Sequence, residues 1–355
     1  MAADDPRVAR RTSNTELIVG GTVVEPGTRQ VIRIPFTTDL NGAEIAVYVH
    51  AIRGKRPGPT LALTTAQHGD EWFGPLMFRQ LLPQIDENEI AGTVLAVPVA
   101  NPIAFGLGQR NTQHESDGPD MNRVWPGTNT WFAELTTKVL AREVLAHTDH
   151  LLDFHPSPTG SAMGQVVYGG DFPDETLSQR SHEMGIAFGW VNLGRGRLMQ
   201  VFPGPRSIRA YSGTQLGIPS LVVEIGGSGF STEQEQAWID ANLKGVNNVM
   251  KHIGMLDGEA EKHPGKVLLY RTTRRVNPTK AGLLIPVNEP EEMMREVKAG
   301  EVLGRIVSPY THEVLEELKS PCDGWLIFLA RSYPIRPGHW AFGVADASET
   351  EWITP

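Results

Sequence analysis

Residues 60–71 read TLALTTAQHGDE, and this stretch divides into two halves. Its first half, 60–65, is a short apolar run that suits a buried strand. Its second half, Ala66-Gln67-His68-Gly69-Asp70-Glu71, is polar and ionisable. The same succession recurs further along the chain. Residues 93–99 (TVLAVPV) lead to Asn101-Pro102, residues 150–154 (HLLDF) to His155-Pro156, and residues 220–223 (SLVV) to Glu224-Ile225-Gly226-Gly227. Helical periodicity appears at 76–85, 130–147 and 233–253. Strands alternating with helices predict an α/β fold with a mostly parallel, mixed sheet flanked by helices.

Outward from this centre the pattern changes at both ends. Residues 1–55 hold short alternating segments, 30–35 and 44–50, separated by Gly-rich turns, and read as an edge sheet or hairpin prelude. From about 265 the chain is rich in Val, Gly and Pro, with turn signals at Asn277-Pro278, Ala299-Gly300, Asp323-Gly324 and Pro337-Gly338. That predicts a small C-terminal all-β domain. The expected division is therefore a catalytic domain at 1–256, an acidic linker near 257–264, and a β domain at 265–355.

At 355 residues and 40% hydrophobic content, the chain has ample material for a core. The net charge of −9 argues against nucleic acid or an anionic membrane as partner, but not against a small anionic substrate. Cys322 is the single cysteine, so no intrachain disulfide can form. The polar N-terminus lacks the apolar core of a secretory signal, and no apolar run reaches bilayer-spanning length. The expected location is the cytoplasm, and the edge-strand-rich N-terminus makes a homo-oligomer plausible.

In an open α/β sheet, ligands bind beyond the carboxyl ends of the strands. The residues that follow the four predicted strands are therefore the candidates for chemistry. His68, Glu71 and His155 offer two imidazoles and a carboxylate, the three-ligand set of a catalytic zinc site with one open position. Gly69 gives the backbone room to turn both His68 and Glu71 to one point. Asp153, on the same strand face as His155, suits the second imidazole N–H of a ligand. Glu224, following a buried strand and preceding Gly226-Gly227, suits a general base. In the loop after residues 93–99, Arg123 and Asn122 could clamp a carboxylate, and Arg110 could polarise a carbonyl. Asp120 is expected to order that loop.

Other residues keep two readings. The segment 194–197 with Arg206, Arg209 and Tyr211 is a second substrate contact or a flexible basic loop. Trp72, Trp125 and Trp131 shape an aromatic pocket or simply pack in the core. His114 and Glu115 line an entrance or do nothing specific.

Taken together, His68-Gly-Asp-Glu71, Asn101-Pro102, Arg110, the block Asp120-Met-Asn122-Arg123-Val-Trp-Pro126-Gly127, Asp153-Phe-His155 and Glu224-Ile-Gly-Gly resemble the succinylglutamate desuccinylase/aspartoacylase family. This is a branch of the zinc carboxypeptidase-like hydrolases. The resemblance covers roughly residues 60–230. It implies one Zn²⁺ per chain on His68, Glu71 and His155, with Glu224 as general base. It also implies Asn122 and Arg123 as the clamp for a substrate carboxylate and Arg110 at the carbonyl oxygen. The implied activity is hydrolysis of the amide of a small N-acyl amino acid or related carboxylate-bearing amide. A zinc carboxypeptidase acting on peptides, or a non-catalytic carboxylate sensor, are the alternatives. Two local departures are Pro156-Ser157-Pro158 after the histidine and Trp125 where the family often has Phe. The C-terminal segment from 300 to 324 resembles a lipoyl-type sandwich, but no lysine stands at a carrier turn, so no biotin or lipoyl attachment is expected.

Overall fold

The computed structural model describes residues 16–39, 41–112, 118–170, 172–196, 206–331 and 334–355. Their centre is a sheet whose main path runs Thr273–Val276, Phe342–Asp346, Gly324–Ala330, Ser161–Gly169, Ser220–Gly226, His150–Phe154, Arg56–Thr65, Ala91–Val97, Glu44–Arg53, Thr28–Thr38. The sheet is mixed. The strands Ser220–Gly226, His150–Phe154, Arg56–Thr65 and Ala91–Val97 are mutually parallel neighbours, and the flanking strands Ser161–Gly169 and Glu44–Arg53 join them antiparallel. These four are the strands anticipated from the apolar runs, so their carboxyl ends lie side by side.

Because side chains alternate between two covered faces, the apolar runs in these strands are continuous rather than alternating. Leu61, Leu63, Val94, Ala96 and Leu152 face one core, while Ala62, Leu95, Val97 and Leu151 face a second core on the other side. The first core takes the helices Phe73–Leu81, Glu175–Phe188 and Thr232–His252, and the second takes Phe132–Glu143 and Ile208 of the helix Ile208–Leu216. Phe78 and Phe154 meet edge to face with centroids 5.6 Å apart, both fully buried. Each such side chain stabilises the fold by about 1.5–3 kcal/mol through burial. The helices Glu175–Phe188 and Ile208–Leu216 were not anticipated from the sequence.

The segments 30–35 and 44–50 fall within the antiparallel pair Thr28–Thr38 and Glu44–Arg53 at the sheet edge. The chain after 265 is strand-rich. Four of its strands, Val314–Lys319, Val302–Val307, Gly282–Pro286 and Pro334–Ile335, form a separate small sheet. Others extend the central sheet: Gly324–Ala330 pairs with Ser161–Gly169, and Val267–Tyr270 pairs in parallel with Asn192–Gly196. Among the described residues, no helix is long and apolar enough to cross a membrane.

Candidate active site

His68, Asp70 and Glu71 occupy the turn between the strand Arg56–Thr65 and the helix Phe73–Leu81. The chain leaves the strand through Ala66 with φ of +52°, an unusual left-handed residue without glycine. That residue is held by the N–H of Asn101, which donates to the Ala66 carbonyl at 3.0 Å. Asn101 caps the helix Pro102–Leu107 by accepting from the Ala104 N–H, and its side-chain amide donates to the Gln67 carbonyl at 3.3 Å. At Gly69 a Cβ would stand 2.0 Å from the Ala104 carbonyl carbon and 2.1 Å from its oxygen, so only glycine fits between the turn and that helix. His155 follows the neighbouring strand directly, and its N–H donates to the Val223 carbonyl at 2.9 Å.

These constraints bring His68, Glu71 and His155 together, all three buried, with one ligand atom of each within 4.8 Å of the others. His155 Nδ1 lies 3.2 Å from His68 Nδ1 and 3.2 Å from Glu71 Oε2, and His68 Nδ1 lies 2.6 Å from Glu71 Oε1. Ligand atoms on a tetrahedral zinc ion, at about 2.0–2.1 Å, stand about 3.3 Å apart, close to two of these three separations. The far nitrogens are also provided for. His155 Nε2 is 2.8 Å from Asp153 Oδ2, and His68 Nε2 is 3.1 Å from Asp120 Oδ1. A carboxylate on Nε2 favours the tautomer whose proton sits there and whose lone pair, on Nδ1, faces the cluster. The donor set therefore fits a divalent metal ion.

Electrostatics agree with the geometry. Burial alone would raise the Glu71 pKa, but His68 and His155 beside it hold the carboxyl at about 2. Burial opposes charge on His155, yet Asp153 and Glu71 on either side push its pKa well above the ordinary value. The pocket thus favours positive charge at its centre. Desolvation likewise works against an ionised Asp120, but His68, Arg110 and Arg123 around it depress its pKa far below the ordinary range. For Asp70, burial first and Glu71 second raise the carboxyl pKa.

Behind the histidines lies a layer that the sequence reading largely missed. Asp153 is fully buried and accepts from Thr64 Oγ1 at 2.6 Å and from Gln67 Nε2 at 2.8 and 3.0 Å. Gln67 Oε1 in turn accepts from the Trp125 indole N–H at 2.9 Å. Trp125 is buried and stacks on Tyr211, so its contact with the site runs through Gln67. Of the other two tryptophans, Trp131 sits at the N-cap of the helix Phe132–Glu143, and Trp72 is 45% exposed beside Glu71.

The remaining candidates sit around this centre. Arg110 Nη2 donates to Asp120 Oδ2 at 3.1 Å and its Nη1 is 3.8 Å from Glu71 Oε1. Arg123 Nη2 is 3.8 Å from the same Asp120 oxygen and its Nη1 donates to the Asn122 carbonyl at 2.7 Å. Asp120, expected to order the loop, therefore joins both arginines to His68. Asn122 is buried; its Oδ1 accepts from the Ile208 N–H at 2.9 Å and its Nδ2 stands 3.3 Å from His155 Nε2. Glu224, expected to follow its strand, lies within it instead, because the ladder with Ser161–Gly169 continues through Ile225 and Gly226. It is near enough to His155 and Glu71 to feel their charge, and its Oε2 accepts from Gln165 Nε2. Desolvation raises its pKa, with the charge on Glu71 acting in the same direction. Arg206 donates to the Val124 carbonyl at 3.1 Å and pairs with Glu134 at 3.3 Å, which ties down the 120s loop. Arg209 is buried, with Nη1 donating to the Tyr168 carbonyl at 3.4 Å. His114, Glu115 and Arg197 lie outside the described residues.

The model of the succinylglutamate desuccinylase/aspartoacylase catalytic domain matches residues 57–253, more than half of the chain. The chain belongs to this family. It is 24% identical over 235 residues to the N-alpha-acetyl-L-2,4-diaminobutyric acid deacetylase of Halomonas elongata, a match spanning 65% of each chain and so just under two thirds of that relative. Its fold is that of a succinylglutamate desuccinylase/aspartoacylase from Rhodobacter sphaeroides (TM-score 0.75, 24% identity, 93% of this chain and 97% of that one). It is equally that of the ectoine utilization protein EutE from Ruegeria pomeroyi (TM-score 0.76, 20% identity, 91% and 97%).

Proposed function

We propose that this family member is a zinc-dependent deacylase that hydrolyses the amide of a small N-acyl amino acid or a related carboxylate-bearing amide. The observation that carries the reading is the buried His68–Glu71–His155 cluster with a carboxylate on the far nitrogen of each histidine. Zinc held by His68, Glu71 and His155 would supply Lewis-acid polarisation of the scissile carbonyl and of the attacking water.

The chain's own residues account for the rest. Glu224, with a pKa raised by desolvation, suits a group that takes a proton from the attacking water and hands it to the leaving amine. Arg123 holds the substrate carboxylate through its planar fork, helped by the amide of Asn122. Arg110, exposed and beside Glu71, is the donor for the carbonyl oxygen as negative charge develops there. We extend to this chain the type of reaction named for the Halomonas relative, removal of an acyl group from an amino acid nitrogen. In the same reading residues 1–256 carry the chemistry, residues 265–355 wall the cleft, and the enzyme works in the cytoplasm.

The test is a panel of N-acetyl, N-succinyl and N-formyl amino acids against dipeptides, run beside metal analysis by mass spectrometry. Stoichiometric zinc and turnover of an acyl amino acid are expected; preference for dipeptides would favour a carboxypeptidase. Glu224→Gln should keep its metal and lose about 10²–10⁴-fold in kcat. Near-normal turnover in that variant removes Glu224 from the mechanism.

A further inference from the structure

Glu224 does not stand alone on its strand. In the antiparallel pair formed by Ser220–Gly226 and Ser161–Gly169, Glu224 is directly opposite Gln165. Directly opposed residues project to the same face of a sheet, which brings the two side chains together. Gln165 Nε2 donates to Glu224 Oε2, and Gln165 Oε1 accepts from the hydroxyl of Tyr270. Tyr270 comes from a distant part of the sequence, the strand Val267–Tyr270, and is almost completely buried.

We propose that Tyr270 and Gln165 form a positioning relay that fixes the orientation of the Glu224 carboxylate for its work as a base. The inference rests on the reading of Glu224 given above. Its logic is the asymmetry of an amide, whose oxygen only accepts and whose nitrogen only donates. A phenol that donates to Oε1 obliges Nε2 to face Glu224. Burial, and then the charge of Glu224, raise the Tyr270 pKa well above its ordinary value, so the phenol keeps its proton. Gln165 therefore presents an N–H that stabilises the ionised carboxylate and opposes the desolvation acting on it. With Oε2 engaged in this way, Oε1 is the oxygen left to handle the proton.

A second, independent feature makes room for the relay. Tyr270 pairs in register with Gly194 of the strand Asn192–Gly196. A Cβ at Gly194 would stand 2.6 Å from the Tyr270 hydroxyl oxygen and 2.8 Å from Cζ. Glycine at 194 thus leaves the space that the phenol occupies. Gln165 and Tyr270 are positioning residues, since they act on the reaction only through Glu224.

The experiment is a double-mutant cycle with Tyr270→Phe, Gln165→Ala and the pair, each checked for metal content. Partners that orient metal ligands are commonly worth about 10–100-fold, and we expect the same order for a group that orients the base. Gln165→Ala should lower kcat by that factor and Tyr270→Phe by about 10-fold, with KM and metal content unchanged. Because Tyr270 acts through Gln165, the double variant should be no slower than Gln165→Ala alone. Multiplying losses, or losses that appear in KM, overturn the relay.

A substrate-free measurement separates this proposal from the functional reading. In protein labelled with ¹⁵N-glutamine, the Gln165 side-chain signal is assigned by its disappearance in Gln165→Ala. Its amide proton should resonate downfield and move upfield in both Tyr270→Phe and Glu224→Gln. An unmoved signal refutes the relay whatever the substrate, whereas normal turnover by Glu224→Gln refutes the role of the base.

Discussion

Replacing Gly69 with alanine tests whether the turn between strand and helix is what assembles the metal ligands. The new methyl carbon would begin 2.0 Å from the Ala104 carbonyl carbon, 2.1 Å from its oxygen and 2.3 Å from the Phe105 nitrogen. These are backbone atoms in a capped helix, so they cannot swing aside as the end of a side chain could. Reaching ordinary contact, about 3.5 Å, requires a displacement of more than about 1 Å shared between turn and helix. Gly69 lies between His68 and Glu71, so both ligands move with it. A misplacement of about 1 Å at a reacting centre costs on the order of 10²-fold in rate, and overpacking of this kind costs about 1–3 kcal/mol of stability. The assay is metal retention after dialysis against a chelator, together with kcat on the best acyl amino acid and a denaturation midpoint. Gly106→Ala is the control, because on the same helix Pro102–Leu107 its Cβ meets nothing within 4 Å. If Gly69→Ala keeps full metal and a kcat within twofold of the parent, the idea that this close approach sets the ligand geometry is wrong.

Three further outcomes are expected. Asp153→Asn keeps the size of the side chain but removes the charge beside His155 Nε2, and should weaken metal binding by about 10–100-fold in chelator competition; unchanged affinity would exclude the orienting role. Trp125→Phe leaves Gln67 Oε1 buried without its indole donor, and should cost about 1–3 kcal/mol in urea unfolding; no loss would mean that Gln67 finds another partner. The third concerns pH and metal-free protein. Glu71 has a folded pKa near 2 against an ordinary 4.5, so its contribution is complete above about pH 4.5 and fades as pH falls towards 2. Stability of the metal-free protein should therefore decline across that acid window, and less steeply in Glu71→Gln; equal slopes would deny the ion pair any part in acid unfolding.

The legible part of this molecule was written in short apolar runs and in what followed them. Four such runs became four adjacent parallel strands, and the polar residues behind them met at one end because parallel strands share a direction. His68, Glu71 and His155 were readable for that reason, and Asp153 because alternation put it on the same face as His155. Gln67 was passed over because a glutamine beside a histidine has no signature of its own; its meaning comes from Asp153, 86 positions away. Gln165 and Tyr270 were invisible for the same reason, since the contact depends on register between an antiparallel strand and one from beyond residue 265. The helix Ile208–Leu216 was also missed. Its apolar positions are few, and tertiary contacts such as the hydrogen bond that the Ile208 N–H donates to Asn122 Oδ1 help to hold it.

The extension of the central sheet by later strands has a consequence for how the protein is made. Ser161–Gly169 offers one edge to Ser220–Gly226, and part of its other edge is met by Gly324–Ala330. During synthesis that second partner emerges more than 150 residues after the first strand does. Until then the ladder at 161–163 stays open, with main-chain groups ready to pair with another nascent copy. Pairings so far apart in sequence form slowly and late. The final quarter of the chain thus acts as the closing stitch of the catalytic sheet. Shortened chains ending before 324 should gather into aggregates rather than persist as a smaller working enzyme.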